Sequence, residues 1–228
     1  MMLTPRMMAR YSTKAELFDD FYQFVLGYGV ELLLPCVVGV IAAMLFFMER
    51  DNDTFKNLRT IPVTSTQMIF AKITVLFLFG LVYCLSTAAA AIVCGSLIAE
   101  IGGLGYKLWM AVEMGIFVTA GTLPLVVLMV FFSKTYIFSV LLCIFHIVLS
   151  LTVEGCFGVL PKFLCWLLPI PLTTLWCAGD LAGHGARGSV GELEALVPTT
   201  AQTVLILGVM SVLSIWLIDR LYQWREGD

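Results

Sequence analysis

The chain has 228 residues, of which 60% are hydrophobic and 13% charged, and a formal net charge of -3; its mean hydropathy is +0.98. An average soluble domain is about 45–50% apolar and about 25% charged, so a soluble fold of this size could not hide this much apolar surface. The apolar residues fall in blocks long enough to cross a bilayer, which points to an all-α polytopic transmembrane bundle, and the small net charge gives no reason to expect a nucleic-acid partner.

Residues 1–28 are amphipathic: Arg6, Arg10, Lys14, Glu16, Asp19 and Asp20 are interleaved with Phe18, Phe21, Tyr22 and Phe24. That many charges spoil a span, and there is no uninterrupted apolar core of the kind a signal peptide needs. The stretch is expected to be a helix lying on the membrane surface, separate from a transmembrane permease domain over residues 29–228. The first span is expected over residues 32–48. Residues 73–99 form the second, and the alanine run at 88–91 supplies small side chains for close helix packing in lipid. A turn at Gly102, Gly103 and Gly105 leads into a third span, 108–133, which carries Glu113 near its start and Pro124 in its interior, where a kink is expected. Lys134 marks a short turn before a fourth span, 135–153, ended by Glu154.

Between residues 155 and 200 the pattern changes. The stretch stays apolar but is broken by Pro161, Lys162, Pro169 and Pro171, which predicts short or re-entrant helices rather than a simple span. Trp166 and Trp176 suit the headgroup boundary. Residues 179–194 are glycine-rich and polar and are expected to be a solvent loop, and 201–218 form the fifth long span before a charged tail.

Arg50, Lys56, Arg59 and Lys72 bracket one loop, which the positive-inside rule places in the cytoplasm. The alternation then puts residues 100–107 and 154–200 outside, with Lys107, Lys162 and Arg187 as a basic minority there, and it leaves Arg6, Arg10 and Lys14 on the outer side as well. Within the bracketed loop, over 49–66, Asp53 can cap a short helix that presents Phe55 and Leu58 on one face, and Pro62 stops it.

Over residues 46–73 the chain resembles the permease subunits of type-2 ABC exporters, and among them those similar to lantibiotic-immunity and bacitracin-resistance permeases. The family's pattern in this loop is an acidic-basic pair, a threonine-hydrophobic-x-x-leucine run, a proline, and a lysine at the start of the next span. Here those positions are Glu49-Arg50, Thr54-Phe55-Lys56-Asn57-Leu58, Pro62 and Lys72. The resemblance implies a coupling helix that docks into a cytoplasmic ATP-binding-cassette subunit through Glu49, Arg50, Asp53, Thr54, Phe55, Leu58, Arg59 and Pro62. It also implies a second permease chain, identical or related, in a bacterial plasma membrane, and an antimicrobial peptide or similar amphiphile as the exported molecule. The family has six spans, so either the first is missing here or residues 16–48 form a short hairpin-like entry.

The physical logic of that loop stands beside the resemblance: two apolar knobs can fill a partner's pocket while the surrounding charges set orientation. An ordinary connecting loop would carry the same basic residues. Other motifs carry less. Residues 102–107 lack the G-x-x-x-x-G-K-[ST] spacing of a phosphate loop, and neither His146 nor His184 has a partner at metal-ligand spacing, so no cofactor or metal is implied. His146 lies inside a span, where it serves either helix packing or a pathway. Glu31, Glu113 and Glu154 fall near outer span ends, as solvated carboxylates or as a joint attraction for a cationic substrate at an outer mouth. Cys36, Cys84, Cys94 and Cys143 sit in apolar runs as small hydrophobes, while Cys156, Cys165 and Cys177 are an odd number in the outer segment.

A transporter permease without catalytic residues of its own is thus the leading expectation. A non-transporting membrane scaffold or sensor would share the spans but has no need of the loop's knobs, and a lipid-modifying membrane enzyme would show a nucleophile, histidines or carboxylates clustered at one depth.

Overall fold

In a computed structural model of the chain, residues 14–51, 64–97, 101–132, 136–184 and 193–226 are described. They form helices joined by turns, with no strand among the described residues. Helix α1 (Lys14–Val25) passes through a π-helical segment (Leu26–Leu32) into α2 (Leu33–Asp51); then come α3 (Ser65–Ser96), α4 (Leu104–Phe131), α5 (Tyr136–Glu154), the short α6 (Lys162–Leu167), α7 (Pro169–Gly183) and α8 (Thr200–Glu226). Among the described residues five helices are long and apolar enough to cross a membrane: Leu17–Phe46, Ser65–Ser96, Leu104–Phe131, Ile137–Glu154 and Thr200–Leu221. The all-α polytopic bundle read from the sequence is the fold observed.

α4 is the hub, touching α2, α3, α5, α7 and α8. The reason is legible in its small residues. In lipid, helices gain little from burying apolar area against one another, so close packing of small side chains carries the association. α3 turns one line of residues inward, Leu76, Gly80, Cys84, Ala88, Ala91 and Gly95, at the three- and four-residue spacing of a helix face. Gly80 lies against Thr119 of α4, and Gly115 of α4 lies against Leu81 and Cys84. Pro124 removes the backbone donor that would bind the Ala120 carbonyl; Ser211 of α8, whose hydroxyl also meets Leu207 O at 2.7 Å, reaches that carbonyl at 3.4 Å.

Several boundaries differ from the sequence expectation. Residues 14–28, expected as part of a separate surface helix, are the first turns of the helix that becomes the first span, with Phe18, Tyr22 and Leu26 buried in the core. The alternative of a hairpin within 16–48 does not occur, because the helix runs without interruption from Lys14 to Asp51, roughly 55 Å at 1.5 Å per residue. α3 begins at Ser65 rather than 73 because Thr64 and Gln67 form a capping box, each side chain satisfying the other's free backbone N–H. α7 extends to Gly183, into the stretch expected as a loop, and the charged tail is helical to Glu226.

The two ends of the bundle are distinct. At one, the chain leaves α2 at Asp51 and re-enters at Thr64: Lys72 stacks over the Phe46 ring at 4.6 Å and Thr66 donates to Asp219 of α8 at 3.0 Å. At the other, Phe18 packs on Gly95 and Asp19 meets Lys107. The beginning of α1 therefore sits at the end opposite the 51–64 loop.

Candidate functional site

α7 decides the geometry of the site. Its first residue, Pro169, packs against Gly121 in the middle of α4, and its later residues climb back along α4: Trp176 meets the Phe117 ring edge-on at 4.8 Å, and Tyr106 donates to Asp180. The helix is thus re-entrant in form, starting at mid-depth and returning to the end from which the chain came. A helix start leaves four backbone N–H groups without partners, costly away from water, but Pro169 and Pro171 have no N–H to leave. The connection back to α8 is strapped down. Trp166 Nε1 donates to Leu196 O at 2.9 Å, Lys162 Nζ to Ala195 O at 3.0 Å, and Trp176 Nε1 to Thr200 Oγ1 at 3.1 Å. Trp176, expected at the headgroup boundary, is instead 2% exposed, because its ring fills the space against Phe117.

One turn into α7, Thr174 brings two of the three predicted outer carboxylates together. Its Oγ1 lies 2.7 Å from Glu31 Oε2, 2.9 Å from Glu154 Oε1 and 3.0 Å from the carbonyl oxygen of Ile170. A hydroxyl has a single proton to donate, so three acceptors compete for it. The pair borders a cleft of about 190 Å³ lined by Gly27, Tyr28, Glu31, Leu32, Ile147, Ser150, Leu151, Glu154, Ile170 and Thr174. None of these is basic. The flanking Tyr28 and Leu151 are exposed, so the cleft opens through the side of the bundle between the π segment and α5. Glu31 is only 4% exposed, which is not the solvated carboxylate that its sequence position allowed. Glu113, the third predicted carboxylate, is half-buried on α4 and does not line this cleft.

His146 is half-buried on α5, two turns before Glu154; its Nε2 is enclosed and has no hydrogen-bond partner among the described residues. Of the coupling residues, Asp53, Thr54, Phe55, Leu58, Arg59 and Pro62 lie outside the described residues, and Glu49 and Arg50 occupy the last turns of the α2 backbone. All seven cysteines are free. Among the described residues no group of three His, Cys, Asp or Glu side chains is placed to hold a metal ion.

Sequence reasoning missed Thr174, Asp19 and Asp180 as partners. Lys107, counted among the basic residues on the wrong side, is 4% exposed. Its ammonium donates to Asp19 Oδ1 at 2.6 Å and to Gly102 O at 2.8 Å, with the Phe18 and Tyr22 rings 5.2 and 5.9 Å away. A buried lysine paired in this way presents no free charge to the membrane potential or to anionic lipid.

Neither the curated proteins nor the solved structures contain a match to this chain. A family model described as ABC-2 family transporter protein matches residues 1–150, about two-thirds of the 228 residues, covering everything from the start through α4 and most of α5. Membership brings with it a membrane setting, a non-catalytic permease role and an ATP-binding partner subunit. The chain belongs to the ABC-2 family of transporter proteins and is the membrane permease component of an ABC transporter.

Proposed function

We propose that this permease exports an antimicrobial peptide or a similar cationic amphiphile from a bacterial plasma membrane, driven by ATP hydrolysis on its partner subunit. The observation that carries the reading is the Glu31–Thr174–Glu154 cleft: two carboxylates meet at one hydroxyl, no basic residue lines the cleft among the described residues, and its mouth opens through the apolar flank of the bundle. A positively charged group on an apolar body fits that environment, since the acids supply the charge complement and the flank admits the tail without a passage through water. The resemblance of residues 46–73 to lantibiotic-immunity and bacitracin-resistance permeases supports the same substrate class.

In this reading Glu31 and Glu154 receive the cationic group, Glu113 adds negative potential higher along α4, and His146 lies on the same pathway along α5. Glu49, Arg50, Asp53, Thr54, Phe55, Leu58, Arg59 and Pro62 form the knob that docks into the ATP-binding subunit, and two permease chains make up the transmembrane unit. Two experiments test the two halves. Phe55→Asp combined with Leu58→Asp is expected to abolish co-purification of the ATP-binding subunit; retained association rejects the coupling knob. Alanine at Glu31, Glu113 and Glu154 together is expected to remove protection of cells against a cationic antimicrobial peptide while leaving that association intact, and unchanged protection rejects the acidic mouth.

A further inference from the structure

We propose that α1 is a hinged arm that closes the end of the bundle opposite the 51–64 loop, with the π segment as its hinge and the Asp19–Lys107 pair as its latch. Three observations meet here. First, the helix changes from α to π hydrogen bonding over Leu26–Leu32 and back again. Such a segment is a weak point in the backbone ladder and a common place for a helix to bend. It contains Gly27 and Gly29, and the Gly29 carbonyl accepts from Tyr83 Oη of α3 at 2.9 Å, an anchor at the pivot.

Second, the far part of α1, whose Phe18 and Tyr22 rings are buried in the core, also carries a small polar set where it meets α4. Besides the ion pair, Tyr22 Oη donates to the Lys107 carbonyl at 2.6 Å. The neighbouring residue Tyr106 donates to Asp180 of α7 and stacks on His184 with ring centroids 3.9 Å apart. Consecutive residues of α4 thus clasp α1 on one side and α7 on the other. Third, the latch is not packed solid: a cavity of about 270 Å³ lies among Asp19, Gly102, Gly103, Tyr106, Lys107, Leu181 and His184, giving the arm room to move.

The same π segment supplies Gly27, Tyr28, Glu31 and Leu32 to the carboxylate cleft. Latch and cleft are about 18 Å apart along one helix, at 1.5 Å per residue from Asp19 to Glu31. Swinging the arm at the latch therefore reshapes the cleft at the pivot, which links the closed end to the site proposed to receive substrate. The inference rests on the export reading only for the purpose of the motion.

The test uses the chain's own thiols in native membranes. Cys177 is 3% exposed and belongs to the same buried cluster as Phe18 and Tyr22 of the arm, whereas Cys143 is 2% exposed against Gly39 where α5 meets α2. Asp19→Asn, and separately Lys107→Met, are expected to speed modification of Cys177 by N-ethylmaleimide about ten-fold, the factor expected from losing one charge-assisted hydrogen bond, with Cys143 unchanged. An unchanged Cys177 rate in both variants overturns the latch. Cys177 and Cys143 speeding up together overturns the arm, because the pair would then be holding the whole bundle. Neither result depends on whether the chain exports anything, so loss of the export reading and loss of the hinge are told apart.

Discussion

Pro169 of α7 rests on Gly121 at the middle of α4, so close that a methyl group on Gly121 would collide with the proline ring. That contact sets the depth at which the re-entrant helix begins, and with it the position of Thr174 between Glu31 and Glu154. Gly121→Ala is therefore expected to push α7 away and cost about 1–3 kcal/mol, the usual penalty for overpacking a tight contact. Gly208→Ala on α8, which faces open space inside a helix, is the control and should stabilise by about 0.5–1 kcal/mol through helix propensity alone. Unfolding of both variants in the same detergent, followed by helical circular dichroism, measures the difference.

Removing the hydroxyl at the carboxylates tests the site from the other side. Thr174→Val keeps the shape but leaves the buried Glu31 and the half-buried Glu154 without the donor they compete for, at an expected cost of about 1–3 kcal/mol. Thr174→Ser restores the hydroxyl and should recover most of that. If the valine variant unfolds no more easily than the serine variant, the hydroxyl is not holding the pair.

The strap behind α7 predicts a graded tryptophan series. Trp166→Phe loses one hydrogen bond to the Leu196 carbonyl and should cost about 1 kcal/mol. Trp176→Ala empties a fully enclosed space against Phe117 and drops the bond to Thr200, for about 3–5 kcal/mol. Comparing the unfolding midpoints of the two variants checks the order.

Thiol chemistry should follow burial. Cys94 is exposed on α3, whereas burial pushes the thiols of Cys165 and Cys177 up from their ordinary range. The thiolate is the reactive form, and a raised value means less of it at any given pH. Alkylation of Cys165 and Cys177 should therefore trail that of Cys94 at pH 8 and keep accelerating as the pH rises further. Peptide mass spectrometry across a pH series gives the three rates, and equal rates at pH 8 would contradict the packing described for α6 and α7.

What the sequence disclosed followed locality. Each of the five spans contains a long apolar run, and the prolines at 161, 169 and 171 announced a broken segment because their effect is on their own backbone. The capping box at Thr64 and Gln67 was equally local, yet the start of α3 was expected near 73 because Lys72 reads as a loop charge until its contact with the Phe46 ring is known. Residues 14–28 failed as a span for a similar reason: Asp19 counts against burial unless Lys107, 88 residues away, is seen to neutralise it. Glu31 and Thr174 are 143 residues apart, and no pattern along the chain marks one as the partner of the other. The depth of α7 depends on a single glycine in another helix, which no periodicity reports.

Residues after 150 repair what residues before 150 leave open. Ser211 reaches the carbonyl that Pro124 frees, Thr174 meets Glu31, and Asp180 receives the hydroxyl of Tyr106. The stretch matched by the family model stops at residue 150, but the contacts of the packed bundle do not. A chain cut there would keep the family's signature and leave the Ala120 carbonyl, the Glu31 carboxylate and the Tyr106 phenol without these partners. The limit of recognisable kinship and the limit of the packed bundle are different places in this protein.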